Sequence, residues 1–273
     1  ISSWVLTEGP IKKDTSSYML SARTSWLGLF FLPTWIDYRT SAEGQYFNYW
    51  MYDLNGKLNF KLSDKDRLYI SAFHGNDAFP TRTKHNDYRY TYDMRWGNTQ
   101  ANVRYTHIFQ PNFFGNLTYH FNQYRYDILT EAYEIANSTE KPVISLNNNS
   151  QILDHTVKGR FDWLPNEKHK IRFGFEGKGV RFKPNYTTRI IEDEVTKGEN
   201  KPIDVTSTAV FVQDDYQITP LINLNVGLRW ARYFTQRVSW RKNSRGLLLP
   251  QSDDTRLHHA SLWYSRQSSG ICD

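Results

Sequence analysis

The stretch Tyr52-Asp53-Leu54-Asn55-Gly56-Lys57-Leu58-Asn59-Phe60-Lys61-Leu62 decides the fold class of this chain. Its even-numbered positions are apolar or glycine, and its odd-numbered positions are polar or charged. Side chains of a β-strand point alternately to opposite faces, whereas a helix cannot keep the two sets of residues apart at this spacing. The stretch is therefore predicted to be a strand with one face in water and the other against a core or lipid.

The same alternation recurs along the chain, at residues 100–106, 116–122, 156–163, 170–176 and 222–230. Short turns rich in Pro, Asn, Asp and Ser are predicted near residues 12–15, 63–66, 110–112, 165–168 and 219–221. Longer polar segments near residues 33–45, 79–87, 131–151 and 188–203 are predicted to be loops. Alternation of short turns with long loops is typical of outer-membrane barrels, and it predicts about ten strands of roughly ten to twenty residues.

Composition excludes several other classes of protein. The 273 residues have a net charge of +6, an aromatic content of 16% and a mean hydropathy of −0.68. No apolar run approaches the roughly 18 residues of a membrane-spanning helix, and the aromatic content is too high for a disordered chain. Lys and Arg are spread along the sequence without a dense basic block, so no nucleic-acid partner is expected.

The predicted fold class is all-β, an antiparallel up-and-down transmembrane β-barrel, here a partial barrel of about ten strands. The alternative is a soluble β-sandwich acting as a carbohydrate-binding or adhesion module, because sandwich strands also alternate. Sandwich strands usually have 3–10 residues, and several of the strands predicted here are longer. Aromatic residues near both ends of these strands favour a barrel, whose two membrane interfaces carry aromatic girdles.

The sequence contains no pattern that predicts catalysis. There is no nucleophile elbow and no Gly-rich phosphate loop, and the two carboxylates of Asp214-Asp215 would point to opposite faces of a strand. The single cysteine, Cys272, excludes an internal disulfide, and the eight histidines lack metal-ligand spacing. We therefore expect no enzyme activity, no cofactor and no metal site.

Two sets of candidate functional residues follow from the pattern. Cations on the polar face of the strands are predicted to face the lumen; these are Lys57, Lys61, Arg104, Lys158, Arg160, Lys170, Arg172 and Arg229. Their alternative role is only to hydrate the wall and to pair with carboxylates of a plug inside the barrel. Aromatic rings at the long-loop end are candidate ligand contacts, since they can stack on sugars or aromatic siderophores; these are Tyr46, Trp50, Tyr88, Tyr90 and Trp96. Their alternative role is in the aromatic girdle.

Three motifs carry a family resemblance. They are residues 8–14 with 20–26, residues 52–57 with 62–69, and the pair Val210-Phe211-Val212-Gln213-Asp214-Asp215-Tyr216 and Leu224-Asn225-Val226-Gly227-Leu228-Arg229-Trp230. In order and spacing, residues 1–236 resemble the barrel of TonB-dependent outer-membrane receptors of the Bacteroidetes type.

The resemblance implies a 22-stranded barrel with an N-terminal plug, in the outer membrane of a Gram-negative bacterium. It implies uptake of a nutrient such as a glycan, siderophore, cobalamin or peptide. The implied partners are outer-membrane lipid, the plug of the same receptor, and the TonB complex through that plug; a surface lipoprotein is a further candidate. Because no plug, TonB-contacting box or C-terminal aromatic strand is recognised, the chain is expected to be a fragment.

The organisation predicted is a barrel segment over residues 1–236 and an irregular tail over residues 237–273. The alternation is lost in this tail, which is rich in Arg, Ser and His. We hypothesise that the tail is non-native and arises from a frameshift, which the underlying nucleotide sequence in its three frames would test.

Overall fold

A computed structural model describes residues 1–136, 139–191, 194–197, 201–242 and 248–268. Side chains are described for residues 1–135, 143–184 and 201–235. The elements are β1 (Ser2–Lys12), β2 (Ser16–Ser25), α1 (Leu27–Phe30), α2 (Leu32–Thr40), β3 (Gly44–Phe47), β4 (Trp50–Lys61), β5 (Asp66–His85), β6 (Tyr88–Gln110), β7 (Phe113–Ala136), β8 (Thr139–Asn166), β9 (His169–Ile191), β10 (Glu194–Lys197), β11 (Ile203–Thr219), β12 (Ile222–Lys242) and β13 (Leu248–Ser268).

All described strands belong to a single antiparallel sheet. Its order is β1-β2-β4-β5-β6-β7-β8-β9-β11-β12-β13, while β3 pairs with β5 and β10 pairs with β9. This nearest-neighbour order confirms the up-and-down architecture. The β-sandwich alternative is wrong, because a sandwich requires two sheets packed face to face. In the described part of the chain β1 pairs only with β2 and β13 only with β12, so the sheet is open at both edges.

The short turns lie where the sequence predicts them, but most of the predicted loops are strand. The segments near 79–87 and 131–151 belong to hairpins in which β5 runs to His85 and β7 runs to Ala136. Their residues are polar at successive positions without alternation, but backbone pairing satisfies their N–H and C=O groups. The strands are therefore longer than predicted, up to 28 residues in β8, and extend well beyond the 9–11 residues of a membrane crossing.

The predicted loop near 33–45 is a helical excursion followed by β3. Strands β3 and β4 both pair with β5 in the same register, and residues 48 and 49 separate the two strands. The interruption lies opposite Pro80, which accepts a hydrogen bond from the Asn48 amide at 3.0 Å but has no N–H to return. Helix α2 lies against β3, and Phe31, the residue just before α2, packs on Phe47 with 4.7 Å between ring centroids.

The register separates a polar face from an apolar face. The polar face carries Asp53 and Lys57 and the residues paired with them, and the apolar face carries Leu54 and Leu58 and their partners. On the apolar face, residues 97–105 of β6, 115–123 of β7 and 171–179 of β9 carry no charge. We call this region the uncharged band; its extent along each strand fits one membrane crossing.

The sheet has almost no core of its own. Among described side chains, the buried hydrophobic residues are Ala78, Ala209 and Ala231, and large apolar side chains such as Leu117, Phe175 and Leu228 are 42–50% exposed. A soluble protein of this length would bury most of the apolar surface of its strands. The exposed apolar face therefore requires an apolar environment outside the chain.

The C-terminal segment differs from the irregular tail expected for residues 237–273. Strand β12 continues to Lys242, and β13 pairs with it from Ile222↔Ser268 to Lys242↔Leu248. Backbone hydrogen bonds do not depend on side-chain alternation, so a strand can form where the alternating pattern is absent. The non-native origin of the tail stays a hypothesis.

Candidate functional site

A network of ion pairs follows the polar face of β8 and β9. At its centre Asp162, only 3% exposed, lies between two guanidinium groups, with Arg160 Nε at 3.3 Å and Arg172 Nε at 3.1 Å. Residues two apart on one strand share a face, so Arg160 and Asp162 meet through the strand period, while Arg172 faces Asp162 across the β8–β9 ladder. The two guanidinium groups balance the charge of the buried carboxylate.

A second group of ion pairs links β8, β9 and β12 further along the same face. Glu176 accepts from Lys158 Nζ at 2.8 Å and lies 3.7 Å from Arg229 Nη2, and Lys178 Nζ lies 2.7 Å from Asp154. These bonds run across the strands and fix the polar face laterally. This face is a wall of paired charges with water-accessible cations between them.

All eight cations that were predicted to share a face lie on the polar face by register, as follows from the ladders that join β4 to β12. Four of them, Lys158, Arg160, Arg172 and Arg229, pair with carboxylates of the wall itself. Lys61 pairs with Asp64 in the turn, and Arg104 lies 4.4 Å from the Tyr69 ring centroid. Among described side chains, Lys57 and Lys170 have no ion-pair partner.

Sequence reasoning missed the carboxylates that complete this network. Asp154, Asp162 and Glu176 are neither clustered in the sequence nor part of a motif. A usable signal existed for Asp162, because Arg160 and Asp162 have the spacing of same-face neighbours. No comparable signal existed for Glu176, whose partner Arg229 lies two strands away.

The register splits the five candidate ligand-contact aromatics between the two faces. Tyr88, Tyr90 and Trp96 lie on the polar face of β6, whereas Tyr46 and Trp50 lie on the apolar face through their pairing with Arg82 and Ala78. The five rings therefore do not form one binding surface. Which residues of two neighbouring strands share a face depends on the length of the connection between the strands. The alternation within each strand does not reveal this pairing.

The polar face holds a larger aromatic surface than the sequence indicated. We call it the aromatic ladder; it comprises Tyr88, Tyr90, Tyr92 and Trp96 on β6 and Tyr124 and Tyr126 on β7. The Tyr88 and Tyr90 rings stack with centroids 6.3 Å apart, and both side chains are at least 40% exposed. The Tyr92 and Tyr126 hydroxyls approach the Met94 sulfur at 3.9 and 4.0 Å. The ladder offers exposed ring faces and phenolic hydroxyls on one surface.

A tyrosine–carboxylate contact lies beside the Trp96 end of the aromatic ladder. The Tyr49 hydroxyl, in the interruption between β3 and β4, donates a hydrogen bond to Asp77, which is directly opposite Trp96. Burial and the hydrogen bond to Asp77 raise the pKa of Tyr49 to about 12. The phenol therefore stays protonated at neutral pH and keeps the Asp77 carboxylate bound.

The described histidines are dispersed. His107 pairs with Asp66 and His169 pairs with Asp214, both at 2.6 Å and on the apolar face near the short turns, while His155 bonds the Tyr119 hydroxyl at 2.8 Å. Among the described residues, no three His, Cys, Asp or Glu side chains gather as metal ligands. His258, His259 and the acidic residues Glu192 and Asp193 lie outside the described side chains.

Trp50 and Tyr52 stack on the apolar face with ring centroids 5.8 Å apart. Tyr52 also bonds His74 Nε2 at 3.1 Å, on the same face. This position fits the girdle role that was the alternative for Trp50, since amphipathic rings occupy the border between lipid and water.

Neither helix of the described residues has the length and hydropathy to cross a membrane. Residues 25–258 match the model of the TonB-dependent receptor-like β-barrel. The chain belongs to this family. The match covers β3 to β12, which carry the ion-pair network and the aromatic rings described above, and extends into the C-terminal segment. No curated protein sequence matches the chain.

Solved structures of this receptor family share the fold of the chain. It is similar to the ferric-catecholate import receptor Fiu of Escherichia coli K12, at 14% identity and a TM-score of 0.60, covering 96% of this chain and 46% of that receptor. It is also similar to the copper transporter OprC, at 8% identity and a TM-score of 0.63, covering 99% of this chain and 42% of that transporter. A third similar structure is FpvA of P. aeruginosa, solved bound to heterologous pyoverdines. Its identity is 10% and its TM-score 0.60, covering 95% of this chain and 38% of FpvA. The chain spans less than half the length of each of these proteins.

Proposed function

We propose that the chain is part of the barrel of an outer-membrane receptor that takes up a nutrient in a TonB-dependent manner. The observation that carries the proposal is the division of one sheet into an exposed apolar face, which contains the uncharged band, and an ion-paired polar face. A barrel places such faces against lipid and water, respectively. Membership of the receptor family, and the fold shared with a ferric-catecholate import receptor and a copper transporter, support the same function.

In this proposal the protein is a transporter rather than an enzyme, located in the outer membrane of a Gram-negative bacterium. The eight polar-face cations line the lumen. Because Lys57 and Lys170 have no partner among the described side chains, they are the cations we assign to carboxylates of a plug domain. Contact with the TonB complex would run through that plug, and a surface lipoprotein is a further candidate partner.

The aromatic ladder is the surface we assign to the ligand. Its rings are exposed on the lumen side and on the part of β6 and β7 that extends beyond the uncharged band. Stacked phenols and an indole bind flat ligands such as sugars or aromatic iron chelates, and the hydroxyls supply hydrogen bonds. This assignment retains Tyr88, Tyr90 and Trp96 from the predicted set and gives Tyr46 and Trp50 a place at the membrane border.

The location is tested by fractionation of cells that produce the full-length receptor. The protein should remain in the outer-membrane fraction after salt and carbonate washes, and its release by carbonate would contradict the proposal. A deletion strain grown on single carbon, iron and cobalamin sources then identifies the nutrient, as the source on which growth fails and is restored by the intact gene.

The ligand surface is tested with the nutrient found in that screen. Tyr90→Ala in the full-length receptor should weaken binding by about tenfold, the loss expected for one stacked ring, while Trp50→Ala on the opposite face should leave binding unchanged. Binding is measured by isothermal titration in detergent. Equal effects of the two substitutions would show that the aromatic ladder is not the ligand surface.

A further inference from the structure

The aromatic ladder lies in a part of the polar face that carries almost no charge. We call this part the neutral wall; its polar-face side chains, all of them described, are those of residues 73–83 of β5, 88–100 of β6, 122–132 of β7 and 144–152 of β8. Asp77 is the one charged side chain among them, and the Tyr49 hydroxyl donates a hydrogen bond to its carboxylate. Within these described residues, the neutral wall therefore offers no cation to a ligand.

Paired charges border the neutral wall on its two sides. On one side Arg23 Nε lies 3.1 Å from Asp53, and on the other side Lys178 Nζ lies 2.7 Å from Asp154. An ionic ligand on the neutral wall would lose hydration without gaining a counter-charge, and one of these pairs would have to break to supply it. An uncharged ligand meets neither cost.

Toward the short turns, the neutral wall carries carboxamides next to the aromatic rings. Asn98 and Gln100 follow Trp96 on the polar face of β6, and Asn122 of β7 pairs in register with Gln100. Each carboxamide offers both a hydrogen-bond donor and an acceptor, and a hydroxyl group on a ligand can use both. The wall therefore suits a ligand that combines apolar ring faces with a rim of hydroxyl groups.

The rings of the aromatic ladder on β6 form a line rather than a cluster. Strand β6 pairs with β7 without a register shift from Tyr88 to Trp96, so this line is about 26 Å long at the rise of a strand. The stacked rings of Tyr88 and Tyr90 repeat at 6.3 Å along it. A compact ligand would contact only part of this line, whereas a linear oligomer would contact successive rings.

We infer that the substrate of the receptor is an uncharged, linear oligosaccharide. Its sugar rings stack on the aromatic ladder, and its hydroxyl groups exchange hydrogen bonds with Asn98, Gln100 and Asn122. The inference rests on the proposed function and names the substrate class of the same site. Ferric chelates and acidic sugars bring a charge that the neutral wall does not balance, and cobalamin is too compact to contact the whole line of rings.

The test measures binding to the full-length receptor in detergent by isothermal titration. The neutral probes are maltohexaose, cellohexaose and xylohexaose, and the contrasting probes are hexagalacturonate, ferric citrate and cyanocobalamin. At least one neutral hexasaccharide should bind, and it should bind about tenfold or more tightly than the disaccharide of the same sugar, because it contacts more rings. Its affinity should be the same at about 0.05 M and about 0.5 M NaCl, since salt screens only charged contacts.

Two substitutions connect this binding to the aromatic ladder. Tyr92→Ala and Trp96→Ala should each weaken binding of the neutral hexasaccharide by about tenfold, the loss expected for one stacked ring. The matched control is Trp163→Ala, which removes a 42% exposed indole on the apolar face and should leave binding unchanged. Heat-modifiable gel mobility reports folding; if Trp96→Ala fails to fold, Tyr92→Ala carries the test at a side chain that is 37% exposed.

The outcomes separate the substrate class from the receptor function. Failure of all three neutral hexasaccharides to bind, or equal binding by folded ladder variants, would overturn the inference. Tight binding of hexagalacturonate, ferric citrate or cyanocobalamin that is lost in the ladder variants would also overturn it. In each of these cases the receptor function stands as long as the protein stays in the carbonate-washed outer membrane, whereas its release by carbonate would contradict the proposed function itself.

Discussion

Asp162 is the residue whose environment most distinguishes the polar face from an ordinary hydrated wall. Its carboxylate is 3% exposed and bridges Arg160 and Arg172. Asp162→Asn leaves two guanidinium groups without their counter-charge, and because both remain partly hydrated we expect a loss of about 1–3 kcal/mol. Urea unfolding of the refolded full-length receptor in detergent measures it.

The exposed turn residue Asp64 provides the control for that experiment. Asp64 pairs with Lys61 at 2.6 Å, and this pair lowers the pKa of Asp64, but the carboxylate is 93% exposed. Asp64→Asn should leave the unfolding midpoint unchanged, since exposed ion pairs contribute little. If both substitutions had the same effect, the burial of Asp162 would have no energetic role.

The glycines of the apolar face divide into covered and open positions, and the two kinds should respond differently to an added methyl group. A Cβ at Gly115 would lie 2.7 Å from the Phe161 ring, which itself stacks on Phe173 with centroids 5.3 Å apart. Gly115→Ala should therefore destabilise the barrel by about 1–3 kcal/mol through overpacking. Gly177→Ala should change its stability by less than about 0.5 kcal/mol, because its site is open. The same unfolding assay compares the two, and a larger loss for Gly177→Ala would contradict the packing described.

Among the secondary-structure elements, helix α2 covers the short strand β3. Strand β3 pairs with β5 on one side, and on its other side the neighbouring strand β2 pairs with β4 only as far as Thr24↔Tyr52. Phe31 packs on Phe47, and the Thr34 hydroxyl donates to the Phe47 carbonyl at 3.3 Å. An uncovered edge strand would expose its unpaired backbone groups.

This arrangement predicts a local effect of Phe31→Ala. Amide hydrogens of residues 44–47 should exchange about tenfold faster or more, because β3 loses its cover, while those of residues 50–61 should keep their protection. Hydrogen exchange with mass spectrometry measures both segments in one experiment. Phe30→Ala is the control, since Phe30 is 63% exposed. Equal acceleration by both substitutions would mean that the packing of Phe31 on Phe47 does not protect β3.

For the whole molecule, the open sheet is the property with the clearest consequence. The described strands leave β1 and β13 as edges, and open edges are not tolerated in lipid. Residues 1–273 expressed without further strands should therefore aggregate and should show no heat-modifiable band on a gel. Size-exclusion chromatography after refolding in detergent checks this. A monodisperse, heat-modifiable species would show that this chain closes or protects its own edges.

The sequence by itself determined the fold class, the short turns and the separation of polar from apolar residues within each strand. These properties are local, because they depend on the period of two and on turn residues. The alternation of residues 52–62 is enough to place Lys57 and Lys61 on one face and Leu54 and Leu58 on the other. The family resemblance drawn from residues 210–230 agrees with the family match.

Only the tertiary structure decided how the strands share those faces. Which aromatics join the ladder, which carboxylate bridges Arg160 and Arg172, and which glycines stay uncovered all depend on the register between strands distant in sequence. The length of the hairpins was also missed, because a polar strand beyond the membrane pairs its backbone as well as an apolar one does. Register is set by pairing along whole ladders, and a shift of one residue would move every side chain to the other face.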